Sequence, residues 1–425
     1  MKEKFEIRGY WFLPSNPENR VAGTLHFIPN EKIYLDLIGS FEDRDEVLSP
    51  NRNNQTDVIH GEGNNAEKIT LLNCYGYGSI NFDSSFAMKS YSVDYVLNGI
   101  HLSTQEDNQF NRIEASLPLL TSWVNHYALS YSIPYDEDGK RPIGFEIGYT
   151  TKNANCIEAE IYDQTTLELE YSCSPPGTHY EEVLEIKQKY LLNIKTVAPT
   201  SFMELLEYAY RFKSFLCLAS KKEVDFNLIT LFSPTKYQEL NDGRKIFLPI
   251  RVYFVQQAIK DPKNVFRSFL FHHDDVEVNF AKIIQKWYSY DHQMLPIINH
   301  MIDSIQEKTV FKSGDYLVVV QALEGFHTRF RENTINKTRI TLTDRLTFLY
   351  DEFCFVPIIN NSKFDMGIIA DTRHYYSHFF HKDAKEYIYE GEELFHCTKY
   401  LQKLLICCLL KETGLSNDQI TKSIK

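Results

Sequence analysis

The eight cysteines of this 425-residue chain are scattered and contain no C-x-x-C pair, so neither a zinc ribbon nor a disulfide framework is indicated. A reducing compartment suits such a set. No apolar run approaches the roughly 20 residues that span a bilayer, and the opening Met-Lys-Glu-Lys-Phe-Glu has no hydrophobic signal core. A cytoplasmic protein with no membrane partner is expected. Positive charge is also scarce. The 45 Lys and Arg face 57 Asp and Glu, and the net charge of −12 argues against indiscriminate coating of nucleic acid, which depends on basic side chains meeting phosphates. Any nucleic-acid site must be local, and from Phe364 onward acidic and basic residues nearly cancel. There is no GxGxxG-like phosphate loop, internal repeat or low-complexity tract, which weakens nucleotide-dependent readings. No G-x-S-x-G elbow and no cysteine in a protease-like context supports a nucleophilic hydrolase.

What is present is an ordinary globular composition, 43 % hydrophobic and 24 % charged, with length for two or three domains. Up to about residue 195 the chain repeatedly alternates apolar and polar positions: Phe5 and Ile7; Ile33, Leu35 and Leu37; Tyr91, Val93, Tyr95 and Leu97; Ile157 and Ile161; Leu167, Leu169 and Tyr171. Period two puts these side chains on one face of a half-buried strand, which predicts a β-rich half built as a sandwich or open barrel. The polar stretch from Glu42 to Asn65 reads as a long loop. Near Pro199, Ser201 and Glu204 form a capping-box pattern, and Leu205, Tyr208, Phe212 and Leu216 recur at helical spacing, giving an amphipathic helix over 201–219. Strand-like segments return at Phe226–Phe232 and Ile246–Val255, so the first domain is assigned residues 1–260.

After a linker at Lys260-Asp261-Pro262-Lys263 the pattern turns helical, which gives an α+β chain whose second domain, 264–425, is all-α. Apolar stripes mark successive helices: Phe280, Ile283, Ile284 and Trp287; Ile298, Met301, Ile302 and Ile305; Leu317, Val320 and Leu323; Leu346, Leu349 and Phe353; and Leu394, Leu401, Leu404, Leu405 and Cys408, ending at Gly414. A compact bundle is expected.

Chemistry concentrates between Ile369 and His381, where Arg373 and His378 sit in a helix opened by Asp371 or Thr372 as N-cap. Arginine stays charged and forks onto phosphate oxygens, while histidine exchanges a proton near neutral pH, so the pair suits cleavage of a phosphodiester. Five helical steps separate the two by about 140°. One isolated helix does not easily aim both at one atom, and a second copy can supply what is missing.

A helical bundle carrying R-x4-H before a final long helix resembles the HEPN ribonuclease superfamily. The whole chain more narrowly resembles the ApeA-like proteins of bacterial anti-phage defence. The resemblance rests on Gly9, Tyr10, Trp11 and Pro14; Gly23, Thr24 and Leu25; Ile38 and Gly39; Ile59, His60 and Gly61; Ile69, Thr70 and Leu71; Gln321, Ala322, Leu323 and Glu324; and the Arg373–His378 motif. It implies a β-rich sensing or regulatory domain, triggered by a phage protein, ahead of a HEPN bundle. It also implies a homodimer and metal-independent RNA cleavage without a cofactor, in which a ribose 2′-hydroxyl attacks phosphorus to leave 2′,3′-cyclic phosphate and 5′-hydroxyl ends. tRNA, cut in the anticodon loop, is the substrate class that fits. His378 then acts as base or acid, Arg373 stabilises the phosphorane, and Glu324 orients Arg373. Helix N-terminal amides near Asp371 would face phosphate, although the Asp371 charge opposes an anion there. Many HEPN motifs follow the arginine with Asn or Asp where this chain has His374, whose role stays open between holding phosphate, positioning Arg373 and transferring a proton.

Plainer readings compete. Arg373 can be a surface ion-pair partner and His378 a hydrogen-bonded core histidine. The bundle can be a noncatalytic interaction or RNA-binding module. Asp371, His374, His378 and His381, spaced three, four and three apart, form a stripe able to touch a divalent metal, yet one helix rarely encloses an ion, so no metal is assigned. Tyr375, Tyr376, Phe379 and Phe380, like Tyr10, Trp11 and Trp123, read as packing rather than ligand surface, and His272 to Asp275 as an exposed loop.

Overall fold

The computed structural model describes residues 3–42, 54–77, 88–102, 109–150, 155–162, 164–174, 185–256, 269–290, 294–306, 312–331, 339–378 and 387–424. The chain divides into two compact units. One comprises Met1–Thr121, His126–Tyr210 and Val224–Lys263; the other comprises Ser122–Asn125, Arg211–Glu223 and Asn264–Lys425. The expected linker residues Lys260 to Lys263 lie outside the described residues.

In the first unit six antiparallel strands close into a barrel: β1 (Phe5–Leu13), β2 (Asn16–Ile28), β3 (Lys32–Ile38), β4 (Gln55–Gly63), β5 (Lys68–Tyr77) and β6 (Met88–Asn98). Their order is β6-β3-β2-β1-β4-β5, and β5 pairs back onto β6, so the barrel is closed where an open barrel or sandwich was expected. Opposed buried pairs such as Leu25 with Leu35 and Phe27 with Ile33 follow the period-two pattern. The Glu42–Asn65 stretch is not a loop throughout, because β4 runs inside it. The strand has a weak period-two pattern because two of its buried alternating positions, Gly61 and Gly63, carry no apolar side chain. Gly61 pairs with Trp11, and a Cβ there would lie 2.3 Å from the Trp11 ring. The missing side chain is what lets the fully buried indole sit inside.

One edge of β6 serves two partners: Met88 to Ser92 pair with β3, and Tyr95 to Asn98 pair with a later strand. The later strands are β7 (Phe110–Ser116), the small hairpin β8 (Leu129–Ser132) and β9 (Glu146–Tyr149), β10 (Ile157–Tyr162), β11 (Thr165–Ser174), β12 (Lys187–Thr200), β13 (Leu228–Phe232), the hairpin β14 (Tyr237–Glu239) and β15 (Lys245–Phe247), and β16 (Ile250–Phe254). From β6 the sheet continues β16-β13-β7-β12-β11-β10.

The helices are α1 (Leu120–Val124), α2 (Phe202–Ser220), α3 (His273–Val276), α4 (Phe280–Tyr288), α5 (Leu295–Ile305), α6 (Ser313–Phe330), α7 (Leu342–Phe353), α8 (Pro357–Asn360), α9 (Met366–His378), α10 (Gly391–Thr413) and α11 (Asn417–Ser423). Ser201 caps α2, its hydroxyl accepting from the Glu204 N–H at 3.2 Å, and residues of α2 belong to both units. In the second unit α10 is the axis. It touches α4, α5, α6, α7, α8 and α11, buries nearly every residue from Leu401 to Leu410, and stops at Gly414 in the left-handed region with φ 102°. Thr341 caps α7 by accepting from the Asp344 N–H at 3.2 Å. At the ends of these helices the Arg331 guanidinium meets Glu352 at 2.9 Å and Glu412 at 3.3 Å, and Lys286 also reaches Glu412, at 3.1 Å. Among the described residues no helix is long and apolar enough to cross a membrane.

Two aromatic expectations are met. Trp11 fills the barrel and Trp123 is fully buried among Phe212, Phe215 and Phe271, whereas Tyr10 is exposed. The His272–Asp275 segment is not an exposed loop. It caps and begins α3, with the His272 N–H donating to Asp275 at 2.7 Å and His273 buried against Trp123 and Phe280. The aromatic neighbours, distant in sequence, draw it inward.

Two outcomes follow from the barrel. Gly61→Ala should destabilise the first unit by about 2 kcal/mol, since overpacking a filled site strains its neighbours. Thermal unfolding of the single variant and of the Trp11→Phe double variant checks this, and additive losses would refute the clash. The second outcome concerns pH. His60 and His101 stack at 4.4 Å, each Nε2–H donating to a backbone carbonyl at 2.9 Å. Burial pushes both imidazoles below their ordinary 6.5, and His101 pushes His60 down further. Unfolding therefore takes up protons. The stability they contribute is full above pH 6.5 and lost as pH falls from there through the lowered folded values. Unfolding curves at pH 7.5 and 5.5 should differ more for wild type than for His60→Gln; equal differences would reject this origin.

Candidate functional site

The motif helix α9 begins at Met366, earlier than expected. Asp365 caps it, its carboxylate accepting from the Ile368 N–H at 2.9 Å and its carbonyl from the Ile369 N–H at 3.0 Å. Asp371 and Thr372 are thus interior residues of the helix, not its N-cap, and no helix N-terminal amides lie at Asp371 to face a phosphate. Both resemble caps by residue type, but Asp365 stands before the apolar Met366, Ile368 and Ile369 and wins on position.

Burial fixes the helix's rotation. Thr372 is fully buried, and its hydroxyl accepts from the Tyr389 N–H at 3.0 Å. Tyr316 of α6, also fully buried, donates its hydroxyl to the Ile369 carbonyl at 2.6 Å. Burial raises the Tyr316 phenol well above its usual range, so it remains a donor. The Tyr389 hydroxyl accepts from the Asp365 N–H at 3.0 Å. These contacts hold one side of α9 against α6 and the segment leading into α10.

With that side fixed, the functional side chains fall into two groups. Arg373 is half-buried and turns toward α6, where its guanidinium lies 3.7 Å from the Glu324 carboxylate. That separation is an ion pair rather than a hydrogen bond. His374 and His378 lie on the exposed side of α9, one turn apart, with ring centroids 4.8 Å from each other and an edge-on tilt of 60°. The structure therefore joins Glu324 to Arg373 and His374 to His378, with five helical steps between Arg373 and His378. Tyr375 and Tyr376 are half-buried, Tyr376 near the Tyr316 ring. His381, Phe379 and Phe380 lie outside the described residues. Among the described residues of the possible metal stripe, Asp371, His374 and His378 do not bring three ligand atoms within 4.8 Å of one another.

Chemically, the exposed imidazole pair can take and give protons, and the arginine, steadied by a carboxylate, can meet a phosphate. Burial pushes the Cys397 and Cys407 thiols up to about 12, far from the thiolate a nucleophile needs. Sequence reasoning missed Tyr316, Thr372 and Tyr389, the residues that set the rotation. Thr372 carried a readable signal as the polar member of a buried face, but Tyr316 and Tyr389 meet α9 only through the fold.

With the geometry in place, comparison with known proteins identifies two matching families. The family described as ApeA N-terminal domain 1 matches residues 6–287, and that described as Apea-like HEPN matches residues 317–419, a span that contains Glu324, Arg373, His374 and His378. No curated protein and no solved structure matches the chain.

Thr372→Val should leave the Tyr389 amide buried without an acceptor and cost about 1–3 kcal/mol. Amide exchange in α9 should quicken with it. Exchange as slow as in wild type would show that this bond does not set the helix.

Proposed function

The chain belongs to the ApeA family, and from that membership we propose that it is an anti-phage defence ribonuclease whose HEPN bundle cuts RNA. The carrying observation is the pair of exposed histidines on a helix whose opposite side is locked by buried hydrogen bonds, next to an arginine anchored on Glu324. Rigid mounting of proton-transfer groups and a cation is what metal-free cleavage of RNA requires.

In this reading the ribose 2′-oxygen attacks the adjacent phosphorus. His378 takes the 2′-hydroxyl proton, the O2′–P bond forms, and the P–O5′ bond breaks. The departing 5′-oxygen receives a proton from a second acid, a role we give to His374, and 2′,3′-cyclic phosphate and 5′-hydroxyl ends result. Arg373 neutralises charge building on the phosphorane. Because five helical steps put Arg373 and His378 about 140° apart on one helix, one phosphate takes the arginine and the histidine from two copies, and the working unit is a homodimer. Glu324 keeps Arg373 extended until phosphate competes for it. A flexible loop in structured RNA permits the in-line geometry, which makes the tRNA anticodon loop the preferred substrate. The β-rich unit restrains or senses, and a phage protein releases the activity.

The test incubates purified wild type, Arg373→Ala and His378→Ala with total bacterial RNA in EDTA, then analyses fragment ends, with infected-cell extract added in parallel. Wild type should leave cyclic phosphate ends, and each variant should lose about 10²–10⁴-fold in rate. Cleavage abolished by EDTA would overturn the metal-free mechanism. A wild type inert even with extract, or variants that cut equally well, would favour a noncatalytic binding module.

A further inference from the structure

A cavity of about 510 Å³ opens between α5 and α6, within the range of small-molecule sites. On the α6 side its wall is one face of the helix, formed by Gln321, Ala322, Glu324, Gly325, Thr328 and Arg329. On the α5 side it meets Pro296, Ile297, His300 and Met301. Glu324 belongs both to this wall and to the ion pair with Arg373, so the cavity adjoins the motif helix through one carboxylate. We propose that the cavity is a nucleobase subsite, which receives a base of single-stranded RNA flanking the phosphate held at Arg373.

The lining chemistry selects that ligand. Ile297, Met301 and Pro296 offer apolar contact to the face of a ring, and His300 and Arg329 at the exposed rim are the side chains on which unstacked bases lie. Gln321 and Glu324 bring an amide and a carboxylate to read a base edge. The carboxylate repels phosphate, so the base enters and the backbone stays outside, toward Arg373. An acceptor at this position favours adenine or cytosine, whose exocyclic amines donate, over uracil, which presents a carbonyl. Thr328 is committed to the wall itself: its hydroxyl donates to the Glu324 carbonyl at 2.9 Å and accepts from Arg345 at 2.6 Å.

Gly325 is the independent pointer. Glycine inside a helix is unfavourable relative to alanine, and no packing demand explains it here, because a Cβ at Gly325 would meet nothing within 4 Å. The absent side chain keeps open space in the wall. A larger residue at this position fills the cavity while favouring the helix.

The location of the scissile phosphate rests on the ribonuclease reading; the cavity's ligand is tested apart from it. Full-length wild type, Gly325→Leu and Gln321→Ala are titrated by fluorescence anisotropy with short 2′-O-methyl oligoadenylate, oligocytidylate and oligouridylate, which carry no free nucleophile and cannot be cut. Wild type should bind the first two about ten-fold tighter than oligouridylate. Gly325→Leu should lose about ten-fold toward both and abolish the preference, at an unchanged or raised melting temperature, since one stacked base contributes about 1–3 kcal/mol. Gln321→Ala, an exposed change that spares the fold, should weaken oligoadenylate most. Wild type that binds no oligonucleotide, or variants that keep wild-type affinity and preference, would overturn the subsite. If uncut RNA accompanies Gly325-dependent binding, the nuclease reading fails and the subsite stands; if cleavage persists with Gly325-independent binding, only the subsite falls.

Discussion

An α-helix advances its side chains by about 100° per residue, and this rotation governs the functional end of the molecule. Once Thr372 and Ile369 are fastened to Tyr389 and Tyr316, every other residue of α9 has its direction set. Arg373 must turn to Glu324, and His374 and His378 must share the exposed side. The fastening bonds are buried, where an unpaired donor is costly, so the helix does not roll out of this setting. The roughly 140° between Arg373 and His378 comes from their five helical steps, and it is why convergence on one phosphate is proposed to need two copies.

The first unit rests on a comparable exchange of side chain for space. Closure of six strands leaves no edge within the barrel, and the interior must then accommodate Trp11. Gly61 provides the room directly opposite the indole. The branch on β6, which gives its first half to β3 and its last residues to β16, lets one continuous sheet be both a closed barrel and an extended surface. A rigid barrel joined by main-chain bonds to a broad sheet is a suitable platform for the sensing role proposed for this unit.

Much of this was legible in the chain. The alternation at Ile33, Leu35 and Leu37 and the helical stripes at Phe280, Ile283 and Trp287 became the buried faces they announce, and Gly414 ends its helix in the conformation expected of it. The misses have physical causes. β4 was hidden because an inward strand position filled by glycine looks like a turn. The start of α9 was misplaced because Asp371 and Thr372 are good caps in isolation, and only the full helix shows that Asp365 has taken the role. His273 read as exposed because its aromatic neighbours Trp123 and Phe280 are not adjacent in sequence.

The sequence alone announced the kind of structure, period two against period 3.6, and an Arg–His spacing that keeps the two side chains off one helical face. Those follow from residue type and spacing, which are local. The fold alone shows that the barrel closes, that Glu324 reaches Arg373, that the His374–His378 side of α9 is exposed, and that a cavity lined in part by Glu324 opens along α6. Each depends on which side of a helix or strand is buried and against what, and burial is settled by partners distant in sequence, as Trp123 is from His273.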